Sequence, residues 1–367
     1  MKQLNIIKMP NKKKNIFFKK KVLITGHTGF KGSWLSLWMH ILGANVLGVS
    51  KDIPTKPSHF KSAGLNKLVK SKFVDIQDIK KIKKIIKNYK PDYIFHLAAQ
   101  SLVKKSYSDS LTTWKSNLIG TINILESLRG IKKNTKVVLI TSDKVYKNIE
   151  TRKGYKENDL LGGIDPYGAS KSATEIAIKS YIKSFFSKNE NKILITVARA
   201  GNVIGGGDWS ENRLIPDCIK TFSNNKKMLV RNPTSTRPWQ HVLEVLSGYI
   251  NLATLLNKDK KIHGEAFNFG PNKKNYTVKE VLDKINFFWK ELEWKIYRGK
   301  NNFFENTLLN LDSQKARKIL KWKTKMNFTK TIEFTVDWYV NYFKFKGNKV
   351  KVLNKSIEQI KLFKSLK

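Results

Sequence analysis

The sequence predicts an α/β fold: a doubly wound parallel sheet with a smaller α/β region beside it. Three observations carry that expectation. Short apolar runs recur along the chain and alternate with helical patterns, which implies parallel strands covered on both faces. The first run opens straight into a glycine turn, Gly26-His27-Thr28-Gly29-Phe30-Lys31-Gly32. The later runs end in polar residues suited to chemistry, and ligands in such sheets lie beyond the carboxyl ends of the strands.

Taken in order, Lys21–Thr25 reads as a buried strand, 33–39 as an amphipathic helix ending near Gly43, and Asn45–Ser50 as the second strand. This strand, glycine turn, helix, strand order is a Rossmann-like βαβ unit. Gly26 permits the tight turn, Gly29 the approach of backbone to a pyrophosphate, and Gly32 close packing of helix on strand. The N–H groups at the helix start then suit a phosphate. Three more runs, 93–99, 136–141 and 193–198, end in Ala98-Ala99-Gln100-Ser101, Ser142-Asp143-Lys144 and Arg199-Ala200-Gly201-Asn202. All three ends are expected to border one cleft. After Asn202 come Gly205-Gly206-Gly207, Arg213, Arg231 and Arg237, a texture suited to an anionic ligand.

The stretch Asp165-Pro166-Tyr167-Gly168-Ala169-Ser170-Lys171 supplies the reactive pair. Asp165 suits an N-cap and Pro166 the first helical position. Tyr167 and Lys171, four apart, then share one helix face. An ammonium beside a phenol is expected to lower its pKa and make Tyr167 a base.

Composition bounds the rest. The chain has 367 residues, enough for one large domain or two modest ones. Its formal charge of +43, from 71 Lys+Arg against 28 Asp+Glu, admits a polyanionic partner. The lysines are scattered, however, and no zinc-finger, RRM or KH pattern accompanies them, so solvated faces are the expectation and no specific nucleic acid. Cys218 stands alone and permits no internal disulfide. His27, His96 and His241 lack metal-ligand spacing, so no metal is expected, and His96 reads as a packed strand residue. No apolar run is long enough for a membrane span. A cytoplasmic protein is expected.

The motifs GHTGFKGSWL (26–35), FHLAAQSLV (95–103), TSDKVY (141–146), DPYGASK (165–171), ARAGNVIGGGDW (198–209), RLIPD (213–217), RPWQHVLE (237–244) and FNFGP (267–271) occur in one order. In that order they resemble the extended short-chain dehydrogenase/reductases, and within them the CDP-glucose 4,6-dehydratases, over residues 20–340. The resemblance implies NAD as cofactor and CDP-glucose as substrate. It implies oxidation at C4 by Tyr167, Lys171 and Ser142, elimination of water across C5 and C6 by Asp143 and Lys144, and no net redox change. Asp143 and Lys144 are left open as acid and base; each role requires burial to move the group's pKa. For the cofactor it implies Gly26, Thr28, Gly29, Phe30 and Gly32, then Ser50, Asp75 and Ile76, then Leu97, Ala98 and Ala99. For the substrate it implies Gln100, Asn202, Arg213, Leu214, Arg231, Arg237 and Asn268. Asn117 is expected to order the site.

Two departures stand out. The acidic residue expected after the second strand is not in place: Ser50-Lys51 comes first and Asp52 slightly later, which weakens the distinction between NAD and NADP. Phe304-Glu305-Asn306 replaces a His-Glu-Ala-like segment. The implied domains are a basic tail (1–19), a cofactor domain (20–200 and 232–264), a substrate domain (201–231 and 265–345) and a lysine-rich extension (346–367), in a homodimer or tetramer. A 4-epimerase, a dehydratase for another nucleotide base, and a basic nucleic-acid-binding protein are the alternatives.

Overall fold

The computed structural model describes residues 15–151, 153–187, 192–224, 226–230, 232–271, 275–289, 293–297 and 308–367. Seven strands form one parallel sheet: β1 (Lys21–Thr25), β2 (Asn45–Ser50), β3 (Lys70–Phe73), β4 (Tyr93–His96), β5 (Thr135–Ile140), β6 (Ile193–Ala200) and β7 (Ala266–Phe269). Their order is β7-β6-β5-β4-β1-β2-β3. The chain thus runs outward from β1 in one direction, returns, and runs outward in the other. β1 pairs with β2 on one side and β4 on the other, so the crevice of the doubly wound sheet opens at Gly26.

Side chains alternate across the sheet with the two-residue period of a strand. Val22, Ile24, Phe95 and Val138 enter one core; Leu23, Ile94, Val137 and Leu139 enter the other. The first core is covered by α1 (Phe30–Ile41), α5 (Val242–Leu256), α7 (Phe328–Lys344) and α8 (Lys349–Ser365). The second is covered by α2 (Ile79–Tyr89), α3 (Gly120–Leu128) and α4 (Pro166–Tyr181). Each apolar run of the sequence is therefore a strand buried on both faces. The smaller region is built from two-stranded pairings: Val203–Ile204 with Gln240–His241, Met228–Val230 with Trp294–Ile296, and Thr236–Arg237 with Tyr276–Thr277. Helix α6 (Val278–Phe288) joins it. Met228, Val230, Val281 and Ile285 belong to the same core cluster as Val22 and Ile24, so this region continues the main core.

Both ends of the chain differ from expectation. Within the expected basic tail, Phe17 is buried and its ring lies 4.9 Å from that of Tyr93. The lysine-rich C-terminal segment is helical, as its periodicity suggests, but it packs into the main core and is no peripheral extension. Helix α8 buries Val352, Ile360 and Phe363, and Phe363 meets the edge of Trp38 on α1 at 5.7 Å. Ser356 Oγ accepts from Trp338 Nε1 at 2.9 Å and lies 3.1 Å from His59 Nε2, while His59 stacks on Trp34 at 4.5 Å. The lysines occupy the outer face of a helix whose inner stripe is apolar.

Candidate active site

The glycine turn fixes the cleft floor. Gly26 has φ +73°, and a Cβ there would lie 2.7 Å from Ala98 N. A Cβ on Gly32 would lie 2.0 Å from Gly26 O. Both glycines are therefore required by the chain's own packing. Gly29 is different. Its Cβ would meet only Gly26 O, at 3.4 Å, so the space it leaves open is outside the chain. No side chain caps α1. An uncapped helix start behind a glycine cradle fits a dinucleotide pyrophosphate. Thr25 Oγ1 accepts from Ala98 N at 3.2 Å and lies 2.7 Å from His96 Nδ1, tying β1 to the Leu97-Ala98-Ala99 segment. His96 is buried, as a strand residue should be, and burial holds its pKa down to about 3.

At the β2 end, Ser50 was expected to face a ribose. It is buried instead, accepting from Thr28 N at 3.3 Å and lying 2.8 Å from His27 Nδ1. Asp75 pairs with Lys51 at 3.2 Å. Ile76 packs beneath, where a Cβ on Gly120 would reach its Cδ1 at 2.4 Å. Phe30 borders Gly205, whose Cβ would lie 3.3 Å from the ring.

Helix α4 starts as its sequence requires. Asp165 accepts from Gly168 N at 2.9 Å, and Pro166 occupies the first turn. Gly168 has no room for a side chain, since a Cβ would lie 2.9 Å from Lys144 O. The start of α4 is thereby pressed onto Asp143–Val145. Asn117, in a π-turn at Lys115–Ile119, donates to Gln100 O at 3.1 Å and Ser170 Oγ at 2.9 Å. Its carbonyl accepts from Thr121 Oγ1 at 2.7 Å and Thr174 Oγ1 at 3.1 Å. Asn117 is thus a buried brace between the β4 loop and α4.

Tyr167 and Lys171 are both buried. Ser142 is within hydrogen-bonding reach of Tyr167 and donates to Asp143 Oδ1 at 3.0 Å. Burial pushes Tyr167 up to about 12, helped by the charge of Asp143. Burial and the Lys31 charge bring Lys171 down to about 7. The expected lowering of the tyrosine by the lysine does not appear here: desolvation dominates the Tyr167 shift against the opposing pull of Ser142 and Arg213, and both groups favour their neutral forms. Asp143 is also buried, and desolvation raises its pKa against the opposing pull of Ser142, Lys144 and Lys31. Its carboxylate lies across Gly201, where a Cβ would come within 3.0 Å of Oδ2. Lys144 is only partly buried and reaches Asp165 at 3.4 Å.

The expected substrate residues divide. Arg213 holds Asp208 at 2.9 Å and donates to Ser101 Oγ at 3.2 Å, with Leu214 opening the next helix. Arg237, half-buried, donates to Thr236 O at 2.8 Å. Asn202 is half-buried beyond β6. Arg231 and Phe304-Glu305-Asn306 lie outside the described residues. Gln100 leaves the set: its amide donates to Leu102 O and Thr113 Oγ1, and its oxygen accepts from Leu102 N. Both amide donors are spent on its own loop. Asn268 leaves it too. It is fully buried, accepts from Tyr146 Oη at 2.7 Å and donates to Tyr155 O at 2.8 Å.

Arg199, expected at the cleft edge, is fully buried behind it. Its guanidinium holds Glu175 of α4 through Nε and Nη2, both at 2.8 Å, and Tyr146 Oη through Nη1 at 2.8 Å. Thr141 Oγ1 also donates to Glu175, at 2.6 Å. The sequence reading did not single out Glu175, although it continues the four-residue spacing of Tyr167 and Lys171. Lys31 was also passed over inside the glycine motif. It feels Arg213, Asp143 and Asp208, and its pKa falls to about 8, chiefly through burial.

A glycine-cradled crevice, with a buried tyrosine–lysine helix and a serine–aspartate pair across it, defines a dinucleotide-dependent enzyme of the Rossmann class. The family model of the GDP-mannose 4,6 dehydratases matches residues 23–335. The chain belongs to that family. It is 43% identical to the CDP-glucose 4,6-dehydratase of Salmonella typhimurium (strain LT2) over 330 residues, 89% of this chain and 92% of that one. It is 26% identical to the human dTDP-D-glucose 4,6-dehydratase over 335 residues, 89% of this chain and 91% of that one. Among solved structures, the dTDP-glucose 4,6-dehydratase of Bacillus anthracis in complex with NAD superposes with a TM-score of 0.73 at 22% identity, covering 89% of this chain and 98% of that one. That likeness shows the fold. Among the described residues no helix is long and apolar enough to cross a membrane, and no group of three metal-ligating side chains occurs.

Proposed function

We propose that the chain is an NAD-dependent hydro-lyase that converts CDP-glucose to CDP-4-keto-6-deoxyglucose and water. The observation that carries this reading is the meeting of Tyr167 and Ser142 with buried Asp143 across Gly201, at the carboxyl ends of β5 and β6. The likeness to the Salmonella dehydratase supports the base and the sugar. Gly26, Thr28, Gly29, Phe30, Gly32, Asp75 and the Leu97–Ala99 backbone would hold NAD. Bound there, NAD supplies a hydride acceptor at C4 and a donor at C6.

Tyr167 takes the proton of the C4 hydroxyl, with Ser142 bonded to the same oxygen. For that its own phenolic proton must leave, which burial of Tyr167 opposes and the positive charge of a protonated Lys171 would favour. The C4 ketone acidifies the C5 hydrogen. Asp143, whose raised pKa keeps a proton available, protonates the departing C6 hydroxyl. Lys144, on the next residue, is the candidate to remove the C5 proton; it is only partly buried beside Asp165, and a sugar bound over it would supply the burial that a lysine base requires. Arg213, Arg237 and Asn202 address the nucleotide diphosphate. The active unit is a homodimer or higher oligomer. Leu111 and Ile176, exposed apolar residues on the helical segments of a superfamily-type interface, support that reading.

The test is turnover of CDP-, dTDP- and UDP-glucose, read as a 4-keto chromophore. CDP-glucose is preferred; equal turnover of dTDP-glucose removes the base assignment. Substrate deuterated at C4 gives product deuterated at C6. Tyr167→Phe lowers the rate by about 10²–10⁴-fold, the size of a general-base contribution. In D2O the product gains deuterium at C5, and Lys144→Met prevents it. A Lys144→Met enzyme that exchanges normally moves the base role elsewhere. Deuterium lost to solvent from C4 excludes internal transfer and with it the dehydratase reading.

A further inference from the structure

The cleft lies at the carboxyl ends of the strands, so the opposite edge of the sheet takes no part in it. That edge is strongly basic at its centre. β5, β4 and β1 are neighbours in the sheet. Lys133 and Lys136 lie at the start of β5, Lys90 just before β4, and Lys20 and Lys21 at the start of β1. Adjacent strands are about 4.8 Å apart, so these five lysines share a patch about 10 Å wide across the strands. The one carboxylate among the residues that open these strands is Asp92, and it is spent: it accepts from Lys21 N at 2.8 Å and pairs with Lys133 at 2.9 Å. The ordinary reason for lysines here is that helices end beside strand starts, where a cation offsets the negative end of the helix dipole. It accounts for Lys133, whose ammonium also donates to Lys90 O, at the C-terminal cap of α2, at 2.7 Å. It does not account for Lys20 and Lys21, which open a strand. These two and Lys90 are exposed and, among the described residues, form no ion pair. Lys136 Nζ lies 5.9 Å over the Tyr93 ring and feels the charges of Lys20 and Lys133.

Cations that crowd one another around a spent acid suit several negative charges at once. We infer that this edge docks the chain on an anionic lipid bilayer, with the cleft turned away from the surface. A bilayer presents separate headgroups, each of which can meet one lysine, and a lysine near such a surface contributes about fivefold in affinity. A single nucleic-acid strand fits less well. The Tyr93 ring is 2% exposed and the Tyr89 hydroxyl donates to Asn45 O, so neither ring is a platform for bases. β1 is 5 residues long, about 17 Å, so a surface at its amino end leaves the cleft mouth open to water.

Sedimentation of the purified full chain with vesicles in physiological salt tests this. One set is phosphatidylcholine alone; the other is phosphatidylcholine and phosphatidylglycerol in equal parts. The chain is expected to sediment with the mixed vesicles and not with the neutral ones. Lys20→Gln/Lys21→Gln/Lys90→Gln weakens binding by about a hundredfold, with an unchanged urea midpoint. Lys147→Gln/Lys153→Gln/Lys156→Gln removes the same charge from exposed positions beyond the carboxyl end of β5. It weakens binding by less than about fivefold, because charges more than a Debye length from the surface are screened. Equal losses in the two triple variants overturn the inference, because they report the +43 charge as a whole. A parent chain that stays in the supernatant with mixed vesicles overturns it too. Complete release from the vesicles by duplex DNA at equal phosphate concentration assigns the same lysines to nucleic acid and removes the lipid surface as their partner.

Discussion

Lys51 and Asp75 meet at 3.2 Å on the rim of the cleft, and Arg199 and Glu175 meet at 2.8 Å beneath the Tyr167 helix. The chemistry of the two pairs is the same, but their surroundings are not. The rim pair is 65% and 29% exposed; the inner pair is 0% and 1% exposed. Water screens the first and leaves its members able to change partner. The second has no water to fall back on, so every polar atom around it has a protein partner. Glu175 is met by Arg199 and Thr141, and Arg199 reaches Tyr146 and the Glu157 carbonyl. Through Tyr146 the network continues to Asn268 and on to Tyr155. The inner pair thus fixes the helix carrying Tyr167 and Lys171 against β6 and the turn that follows β5, beside Asp143 and Gly201. The outer pair fixes little.

The largest expected effect tests the inner pair. Arg199→Met strands a buried carboxylate and should cost about 3–5 kcal/mol in urea denaturation. The double variant Glu175→Leu/Arg199→Met should be more stable than Arg199→Met alone, because no charge is left unpaired. A single variant within about 1 kcal/mol of the parent would mean the network is not the brace described, and the contrast between the pairs would fail.

The same comparison shows what was legible in the sequence. Strands buried on both faces leave continuous apolar runs, and β1, β4, β5 and β6 announced themselves that way. Tyr167 and Lys171 were legible because helical spacing is local. Arg199 and Glu175 are 24 residues apart, and Asn268 is a further 69 from Arg199. Nothing local marks a polar residue as buried when its partners come from distant strands. Asn268 and Gln100 were assigned to the substrate by resemblance, and a motif does not show which side-chain atoms are already spent inside the fold. Helix α8 was legible in part: residues 346–367 show helical periodicity, but a lysine-rich segment at the chain end gave no sign that Val352, Ile360 and Phe363 pack onto the core. The sign of the tyrosine shift was not legible either, because the sequence shows the neighbouring charge and not the desolvation.

A buried carboxylate held by backbone N–H groups, with Lys325 acting on it only at a distance, sharpens the contrast. Glu244 on α5 is 1% exposed and accepts from Lys325 N at 2.7 Å and Met326 N at 2.6 Å. Burial dominates and raises its pKa to about 7 from an ordinary value of 4.5. The folded state therefore prefers the protonated acid. Its contribution to stability is fully present below pH 4.5 and is lost as pH rises through about 7. The swing is on the order of 3 kcal/mol at most. Glu244→Gln should flatten the denaturation midpoint over that window relative to the parent. An identical pH profile in the variant would mean that another group controls it.

The smallest effect is expected at the rim. Lys51→Ala removes one ammonium from an exposed pair and leaves Asp75 hydrated and still bonded to Gln77 N. An exposed pair of this kind contributes about 0.2–1 kcal/mol, because the Coulomb gain is screened and two side chains must be held still. Urea denaturation should therefore shift by less than about 1 kcal/mol, and less again in high salt. The backbone ties from Thr28 to Ser50 Oγ and to Asp52 O do not pass through the lysine side chain, so the glycine turn keeps its place. A loss above about 2 kcal/mol would show that Lys51 holds the turn together. The rim would then be structural like the inner pair, and Lys51 would have no freedom to leave Asp75. A small loss shows that the backbone ties hold the turn without the lysine charge.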